Sequence, residues 1–229
     1  MTFSAGGDTT FRLGALTGAD RVLDLRQAAA LCGGAQDAFV SMRTLIDAGP
    51  RGLDRARALL DQPPPDALRA AAAVALHAPL PRPAQLRDFL SFEQHLRQAF
   101  DASIRLRASR ADDPARAEAS LRASGRFEVP EIWYRQPVYY KGNRFSISGP
   151  GDTIVWPAYS EVMDYELELA AVIGTGGRDI SRHAALDHVF GFTVFNDFSA
   201  RDAQTLEMQG MLGPAKGKDF DGANAFGPC

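Results

Sequence analysis

The segment that most constrains the fold runs from Tyr165 to Ile173 and reads Tyr-Glu-Leu-Glu-Leu-Ala-Ala-Val-Ile. Its composition predicts a β-strand, and alternate side chains of a strand point to the same face. Glu166 and Glu168 therefore project together from one face, while the other face is apolar. A strand of this kind is normally buried, and adjacent buried carboxylates are costly unless their charge is compensated. The compensation is a shared proton, arginine side chains or a hard cation; otherwise the strand lies at a sheet edge with its glutamates in water.

A second apolar strand is predicted over residues 189–198, and it carries Asn196 and Asp197 near its end. A side chain at a strand end can leave the core, so Asp197 can approach the two glutamates. Three carboxylates form an all-oxygen site, which suits Mg²⁺, Mn²⁺ or Ca²⁺ better than zinc. The alternative role for Asp197 is to cap the helix predicted over residues 199–208.

That helix and the segment after it carry further polar candidates. Arg201 and Gln204 are at positions i and i+3, so they share one face and can present donors to an anionic ligand. A solvated helix face is the alternative for both. The chain has only three lysines, and Lys216 and Lys218 lie together in the glycine-rich segment 213–222. This segment lacks the spacing of a Walker phosphate-binding loop.

Composition excludes several classes of protein. The chain has 229 residues, 45% of them hydrophobic, and a formal net charge of −3, which fits a folded protein and not a basic nucleic-acid binder. Its apolar runs are far shorter than the about 18 residues of a membrane span. Two cysteines provide no disulfide framework, and no secretory signal is visible at the amino terminus. We therefore expect a cytoplasmic protein with no nucleic-acid or membrane partner.

A proline-punctuated linker over residues 78–83 divides the sequence near residue 80. Residues 1–80 predict a small α+β domain without recognisable catalytic groups. Residues 81–229 begin with a helical pattern and become rich in glycine, proline, tyrosine and β-branched residues after Trp133. The predicted fold class is a β-rich α+β protein, with the small domain first and the larger one after it.

Three motifs together resemble the fumarylacetoacetate hydrolase superfamily, in its two-domain fumarylacetoacetase-like branch. They are Glu166-x-Glu168, the stretch Asn-Asp-Phe-Ser-Ala-Arg-Asp-Ala-Gln over residues 196–204, and Gly213-Pro-x-x-Gly-Lys218. The resemblance covers residues 80–229 closely and residues 1–80 loosely. It implies a mixed β-sandwich roll over residues 81–229, a homodimer, and a divalent metal, Mg²⁺ or Ca²⁺ with Mn²⁺ as a further possibility.

The resemblance also implies residue roles. It assigns metal ligands to four carboxylates: Asp88, Glu166, Glu168 and Asp197. It assigns two catalytic groups, with His95 as the general base and Lys218 as a cation near the reacting oxygens. It assigns substrate contacts to three residues: Tyr140, Arg201 and Gln204.

The implied function is hydrolysis of a carbon–carbon bond in a 1,3-diketone or a 2-oxo acid. His95 activates water, and the metal, Lys218 and Arg201 stabilise the enolate that results. Leu90 and Met208 stand where the branch has tyrosines, so fumarylacetoacetate itself is not the expected substrate. The alternatives are an isomerase, hydratase or decarboxylase of 2-oxo acids in aromatic catabolism, and an inactive metal-binding fragment. The sequence ends at Cys229, before the branch's glutamate partner of the histidine, and we expect a longer gene product.

Overall fold

The computed structural model describes residues 1–228. It contains six α-helices: α1 (Leu25–Leu31), α2 (Met42–Asp61), α3 (Glu93–Ala108), α4 (Pro114–Ala123), α5 (Glu131–Arg135) and α6 (Arg201–Glu207). Its strands up to residue 142 are β1 (Thr2–Ala5), β2 (Arg12–Thr17), β3 (Arg21–Asp24), β4 (Leu68–Ala70), β5 (Val74–His77), β6 (Leu86–Phe89) and β7 (Tyr139–Gly142). The later strands are β8 (Ile147–Ser148), β9 (Met163–Asp164), β10 (Leu167–Ile173), β11 (Val189–Asp197), β12 (Ser199–Ala200) and β13 (Asn224–Phe226).

The chain forms two compact units. One contains residues 1–85 together with residues 142–229, and the other contains residues 86–141. The domain boundary near residue 80, between a small α+β domain and a larger domain, stays a prediction. No helix within residues 1–228 combines the length and the apolar character needed to cross a membrane.

The first unit begins with a five-stranded antiparallel sheet in the order β4-β3-β2-β1-β5. Its core is built from apolar side chains of the sheet, of α1 and of α2, and Leu23 and Phe39 in this core are almost fully buried. Asp24 caps α1 by accepting a hydrogen bond from the Gln27 N–H. Val172 of β10 and Phe190 of β11 pack against the same core, so a single core links the amino-terminal sheet to the strands that carry the candidate site.

The second sheet of this unit has the order β10-β11-β13-β8. Its neighbouring strands are antiparallel except for the parallel pair β13 and β8, which makes the sheet mixed. Glu168 of β10 is paired with Phe195 of β11, and the ring of Phe195 stacks on Phe226 of β13. Several sheets combined with helices confirm the predicted α+β fold class.

The structure matches neither interpretation of β10 in full: β10 is an edge strand and not a strand buried on both faces, but its glutamates do not form the face that lies in water. Leu167 and Leu169 are 74% and 69% exposed, while the glutamate face is the more buried one. On β11, Phe192 and Val194 point to the same open side and are 51% and 52% exposed. The sheet therefore packs through the face that carries the carboxylates and leaves an apolar face in solvent.

The second unit, residues 86–141, contains the two-stranded sheet of β6 and β7 and the helices α3, α4 and α5. Arg122 of α4 donates to Asp101 of α3 at 2.6 Å, which ties the two helices together. The Trp133 indole N–H donates to the Leu90 carbonyl at 2.7 Å. The Trp133 contact connects α5 to the residue that follows β6 within the unit.

Candidate metal centre

Three of the predicted ligands meet where β10 and β11 pair. Glu166 immediately precedes β10, Glu168 lies within it, and Asp197 is the last residue of β11. The Asp197 N–H donates to the Glu166 carbonyl at 3.1 Å, so the antiparallel pairing itself places these side chains side by side. Each of the three offers a carboxylate oxygen, and these oxygens lie within 4.8 Å of one another. The structure therefore brings these three carboxylates together, as the strand reading predicts.

The alternative role of Asp197 as a helix cap is wrong. α6 begins at Arg201, and Ala200 occupies the capping position without a side-chain cap. The predicted helix over residues 199–208 therefore starts two residues later, because Ser199 and Ala200 form β12, which pairs with β9. The Asp197 carboxylate is fully buried and is directed at a cation instead.

That cation is Lys218, whose side chain is 4% exposed. Its ammonium donates to Asp197 Oδ2 and lies 3.1 Å from Glu166 Oε1. A buried ammonium between two carboxylates compensates charges that would otherwise be expensive to remove from water. Lys218 is therefore part of the carboxylate cluster and not a surface lysine.

Arg201 provides the second positive charge. Its Nη1 donates to Glu166 Oε1 at 2.5 Å and to Gln204 Oε1 at 3.1 Å. On its other side, Nε and Nη2 both lie 2.9 Å from Asp164 Oδ2. Arg201 and Gln204 thus share a helix face as predicted, and Asp164 fixes the orientation of the guanidinium.

The electrostatics of the cluster keep Glu166 and Arg201 ionised. Burial raises the pKa of the Glu166 carboxyl, but the positive charges of Lys218 and Arg201 outweigh burial, and the pKa lies below its usual value. Burial lowers the pKa of Arg201, and the negative charges of Glu166 and Asp164 raise it more, so its pKa lies above its usual value. Glu166 and Arg201 are therefore both charged at neutral pH, and an ionised carboxylate is the form of Glu166 that binds a metal.

The loop before Lys218 is held against α6. The Ala200 N–H donates to the Gly217 carbonyl at 2.8 Å. A Cβ at Gly217 would lie 2.8 Å from the backbone nitrogen of Gln204, so only glycine permits this close approach. The glycine next to Lys218 therefore allows the loop to deliver the ammonium to the carboxylates.

The remaining predicted residues lie in the unit of residues 86–141. Asp88 is in β6, Tyr140 is in β7, and His95 is an exposed residue of α3. Their assignment as fourth ligand, substrate contact and general base stays a prediction.

Sequence reasoning missed several polar residues that organise the site. Asp164 precedes Glu166 by two positions, so the same period of two that singled out the glutamates also indicated Asp164. The Asp202 carboxylate accepts hydrogen bonds from the Ser160 hydroxyl at 2.5 Å and from the Glu161 N–H at 2.8 Å. No local pattern reveals this contact, because its partners are about 40 residues apart in the chain.

The donor set fits a hard divalent cation. All the candidate ligand atoms are carboxylate oxygens, which Mg²⁺, Ca²⁺ and Mn²⁺ prefer. The three clustered carboxylates together with Asp164 carry more negative charge than Arg201 and Lys218 neutralise, by two units. A divalent cation would balance that excess. The cluster can therefore hold such an ion.

Comparison with known proteins identifies the family. Residues 87–229 match the model of the fumarylacetoacetate (FAA) hydrolase C-terminal domain. The chain therefore belongs to the fumarylacetoacetate hydrolase family.

Individual relatives have different activities. Oxaloacetate tautomerase YisK of Bacillus subtilis is 34% identical over 158 residues, which are 68% of this chain and 42% of that protein. Fumarylacetoacetase of Arabidopsis thaliana is 39% identical over 105 residues, which are 38% of this chain and 25% of that protein. A probable 2-hydroxyhepta-2,4-diene-1,7-dioate isomerase from Mycobacterium abscessus has a solved structure with a TM-score of 0.60 and 26% identity, covering 95% of this chain and 59% of that one.

These relatives are enzymes, and they include both tautomerases and hydrolases. The chain spans less than half the length of the two sequence relatives above. The match over residues 87–229 establishes the family.

Proposed function

We propose that the protein is a divalent-metal-dependent enzyme that acts on a 2-oxo acid through its enolate. The observation that carries this proposal is the cluster of Glu166, Glu168 and Asp197 with Lys218 and Arg201 in direct contact. Such a cluster combines a site for a hard cation with fixed positive charge where a substrate oxygen would become negative.

Four carboxylates would hold the metal in this proposal: Glu166, Glu168 and Asp197, with Asp88 as the fourth ligand implied by the family resemblance. A bound Mg²⁺, Ca²⁺ or Mn²⁺ would supply Lewis-acid polarisation of the substrate carbonyl. The ions differ in the geometry and ligand number that they require, and oxygen-only ligation admits each of them.

The chain's own cations have separate tasks. An ammonium has three N–H donors, and the contacts of Lys218 with Asp197 and Glu166 use two of them. The third can donate to a developing enolate oxygen. Arg201 offers a guanidinium whose orientation Asp164 fixes, and it binds the substrate carboxylate together with Gln204 and Tyr140.

Keto–enol tautomerisation of a 2-oxo diacid such as oxaloacetate is the first reaction to test. It needs enolate stabilisation and a proton transfer and does not require an attacking water. The similarity to an oxaloacetate tautomerase over 68% of the chain favours it.

Hydrolysis of a carbon–carbon bond in a 1,3-diketone or acylpyruvate is the second candidate. It adds a water nucleophile, which His95 would activate as general base. His95 is exposed on α3, and the similarity to a fumarylacetoacetase supports this reaction.

The test compares substrates on one protein preparation. Purified chain is stripped with EDTA, reloaded with Mg²⁺, Mn²⁺ or Ca²⁺, and assayed for decay of oxaloacetate enol absorbance and for loss of acylpyruvate absorbance. We expect tautomerisation to depend on the metal. Lys218→Met should reduce its rate about 100-fold or more, because it removes the cation that stabilises the enolate. His95→Ala separates the candidates, because it should abolish only the hydrolysis. Undiminished turnover in excess EDTA would refute the metal-dependent mechanism.

A further inference from the structure

Glu207, the last residue of α6, makes contacts that the proposed reaction does not use. Its Oε1 accepts a hydrogen bond from the Ala215 N–H at 2.9 Å and another from the Gly217 N–H at 3.0 Å. One carboxylate oxygen therefore holds two backbone donors of the loop that ends at Lys218.

The position of this carboxylate is electrostatically unfavourable for the helix. The carboxyl end of a helix carries partial negative charge, so an acidic side chain in the last turn weakens the helix. Glu207 is half-buried in this place. The hydrogen bonds of Glu207 to the loop therefore offset its unfavourable interaction with the helix end. The stability of α6 does not explain why a glutamate occupies this position.

Backbone hydrogen bonds of the loop also fix the position of Lys218. The Lys218 N–H donates to the Ala215 carbonyl at 2.9 Å, and the Gly217 carbonyl accepts from the Ala200 N–H just before α6. The Tyr159 hydroxyl donates to the Lys216 carbonyl at 2.6 Å on the exposed side of the loop. Every residue from Ala215 to Lys218 thus has a backbone contact that fixes it.

One short helix consequently organises both cations of the site. Its first residue, Arg201, contacts Glu166 directly, and its last residue, Glu207, holds the loop that presents Lys218 to Glu166 and Asp197.

We propose that Glu207 is a positioning residue that keeps the Lys218 ammonium buried against Asp197 and Glu166. The inference deepens the proposed function, because Lys218 is the enolate-stabilising group there. Glu207 acts through the backbone of residues 215–217 and contacts neither substrate nor metal.

Because the chain has only three lysines, the accessibility of the Lys218 ammonium can be measured directly. Trace acetylation followed by peptide mass spectrometry reports Lys141, Lys216 and Lys218 separately, and the first two are exposed internal standards. In the parent chain we expect Lys218 to be strongly protected. Glu207→Ala should raise its labelling about fivefold or more relative to Lys141, because the net loss of a single hydrogen bond accounts for about that factor and this variant removes two.

Two conservative variants separate hydrogen bonding from charge. Glu207→Gln keeps an acceptor oxygen at the same reach, and labelling of Lys218 should stay within about twofold of the parent chain. Glu207→Asp keeps the charge but shortens the side chain by one methylene, and labelling should rise as in Glu207→Ala. The matched control is Glu161→Gln, at an exposed glutamate whose N–H, not its carboxylate, contacts Asp202.

Unchanged Lys218 labelling in folded Glu207→Ala and Glu207→Asp would overturn the inference, and circular dichroism verifies folding. Equal labelling in the Gln and Ala variants would also overturn it. Parallel assays keep the two proposals distinguishable. Increased Lys218 labelling with unchanged turnover would support the positioning role of Glu207 and refute the role of Lys218 in catalysis. Lost turnover without increased Lys218 labelling would refute the positioning role of Glu207 and leave the role of Lys218 in catalysis intact.

Discussion

Asp197 is the residue on which the carboxylate cluster depends most. It is fully buried, its backbone N–H bonds to the Glu166 carbonyl, and its carboxylate accepts from Lys218. Replacing it with asparagine keeps the size but removes one negative charge from the ligand set. We expect Asp197→Asn to weaken Mn²⁺ binding about 100-fold or more. Loss of a residue that only hydrogen-bonds to a metal ligand typically weakens binding about 10–100-fold, and loss of a ligand should weaken it more.

The measurement is Mn²⁺ titration followed by electron paramagnetic resonance, which needs no substrate. Asp221→Asn is the control, because Asp221 is an exposed carboxylate in the same part of the chain. Equal Mn²⁺ affinity in the Asp197 variant and in the control would show that this cluster is not the metal site.

The predictability of the site differs from residue to residue. The shared face of Glu166 and Glu168 follows from strand alternation alone, and Asp164 obeys the same rule. Asp202 and Glu207 act through contacts with backbone groups at 160–161 and 215–217, and no local spacing encodes where those loops pass. Side chains that share a strand are thus readable from sequence, and side chains that hold distant loops are not.

At the scale of elements, the loop 213–218 is attached to α6 through a backbone approach that only glycine allows. A methyl group at Gly217 would lie 2.8 Å from both the backbone nitrogen and the Cα of Gln204, and neither atom can move without shifting the helix. We expect Gly217→Ala to destabilise the protein by about 1–3 kcal/mol in urea denaturation and to expose Lys218 to acetylation.

Gly210→Ala is the matched control for that variant. Gly210 lies in the same region of the chain, and a Cβ there would have no atom within 4 Å. A Gly217→Ala variant as stable as the Gly210→Ala variant would contradict the proposed close packing of loop and helix.

Element boundaries show where sequence patterns stop being informative. The apolar character of β10 and β11 predicts both strands, and the structure contains them. The sequence predicts that the next helix begins at Ser199, yet it begins at Arg201 because Ser199 and Ala200 pair with β9. That pairing joins residues separated by more than 30 positions, so local propensity could not reveal it.

At the scale of the molecule, the open face of β10 and β11 is the most unusual surface. Leu169 lies opposite Val194 and Ala171 opposite Phe192, and Leu167 continues the same face. Tyr165 and Ile173 extend the apolar row at either end and are 67% and 61% exposed. The exposed apolar area is on the order of 600 Å², at the upper end of the largest patches found on monomeric proteins.

β10 is also an edge strand of its sheet, so an exposed strand edge adjoins the apolar face. Such a surface favours association, because burying it against a second copy removes apolar area from water and pairs backbone groups. The area is close to the about 800 Å² that each partner contributes to a standard protein interface. We therefore expect residues 1–229 to self-associate at micromolar concentration through this face.

Analytical ultracentrifugation of the 24.7 kDa chain measures this association directly. Leu169→Lys places a charge at the centre of the face, and it should shift the sedimenting species toward the monomer because a buried lysine would have no counterion there. Leu31→Lys is the control, since Leu31 at the end of α1 is 51% exposed and lies outside this face. A monomeric parent chain, or equal association in both variants, would show that the β10–β11 face does not drive self-association.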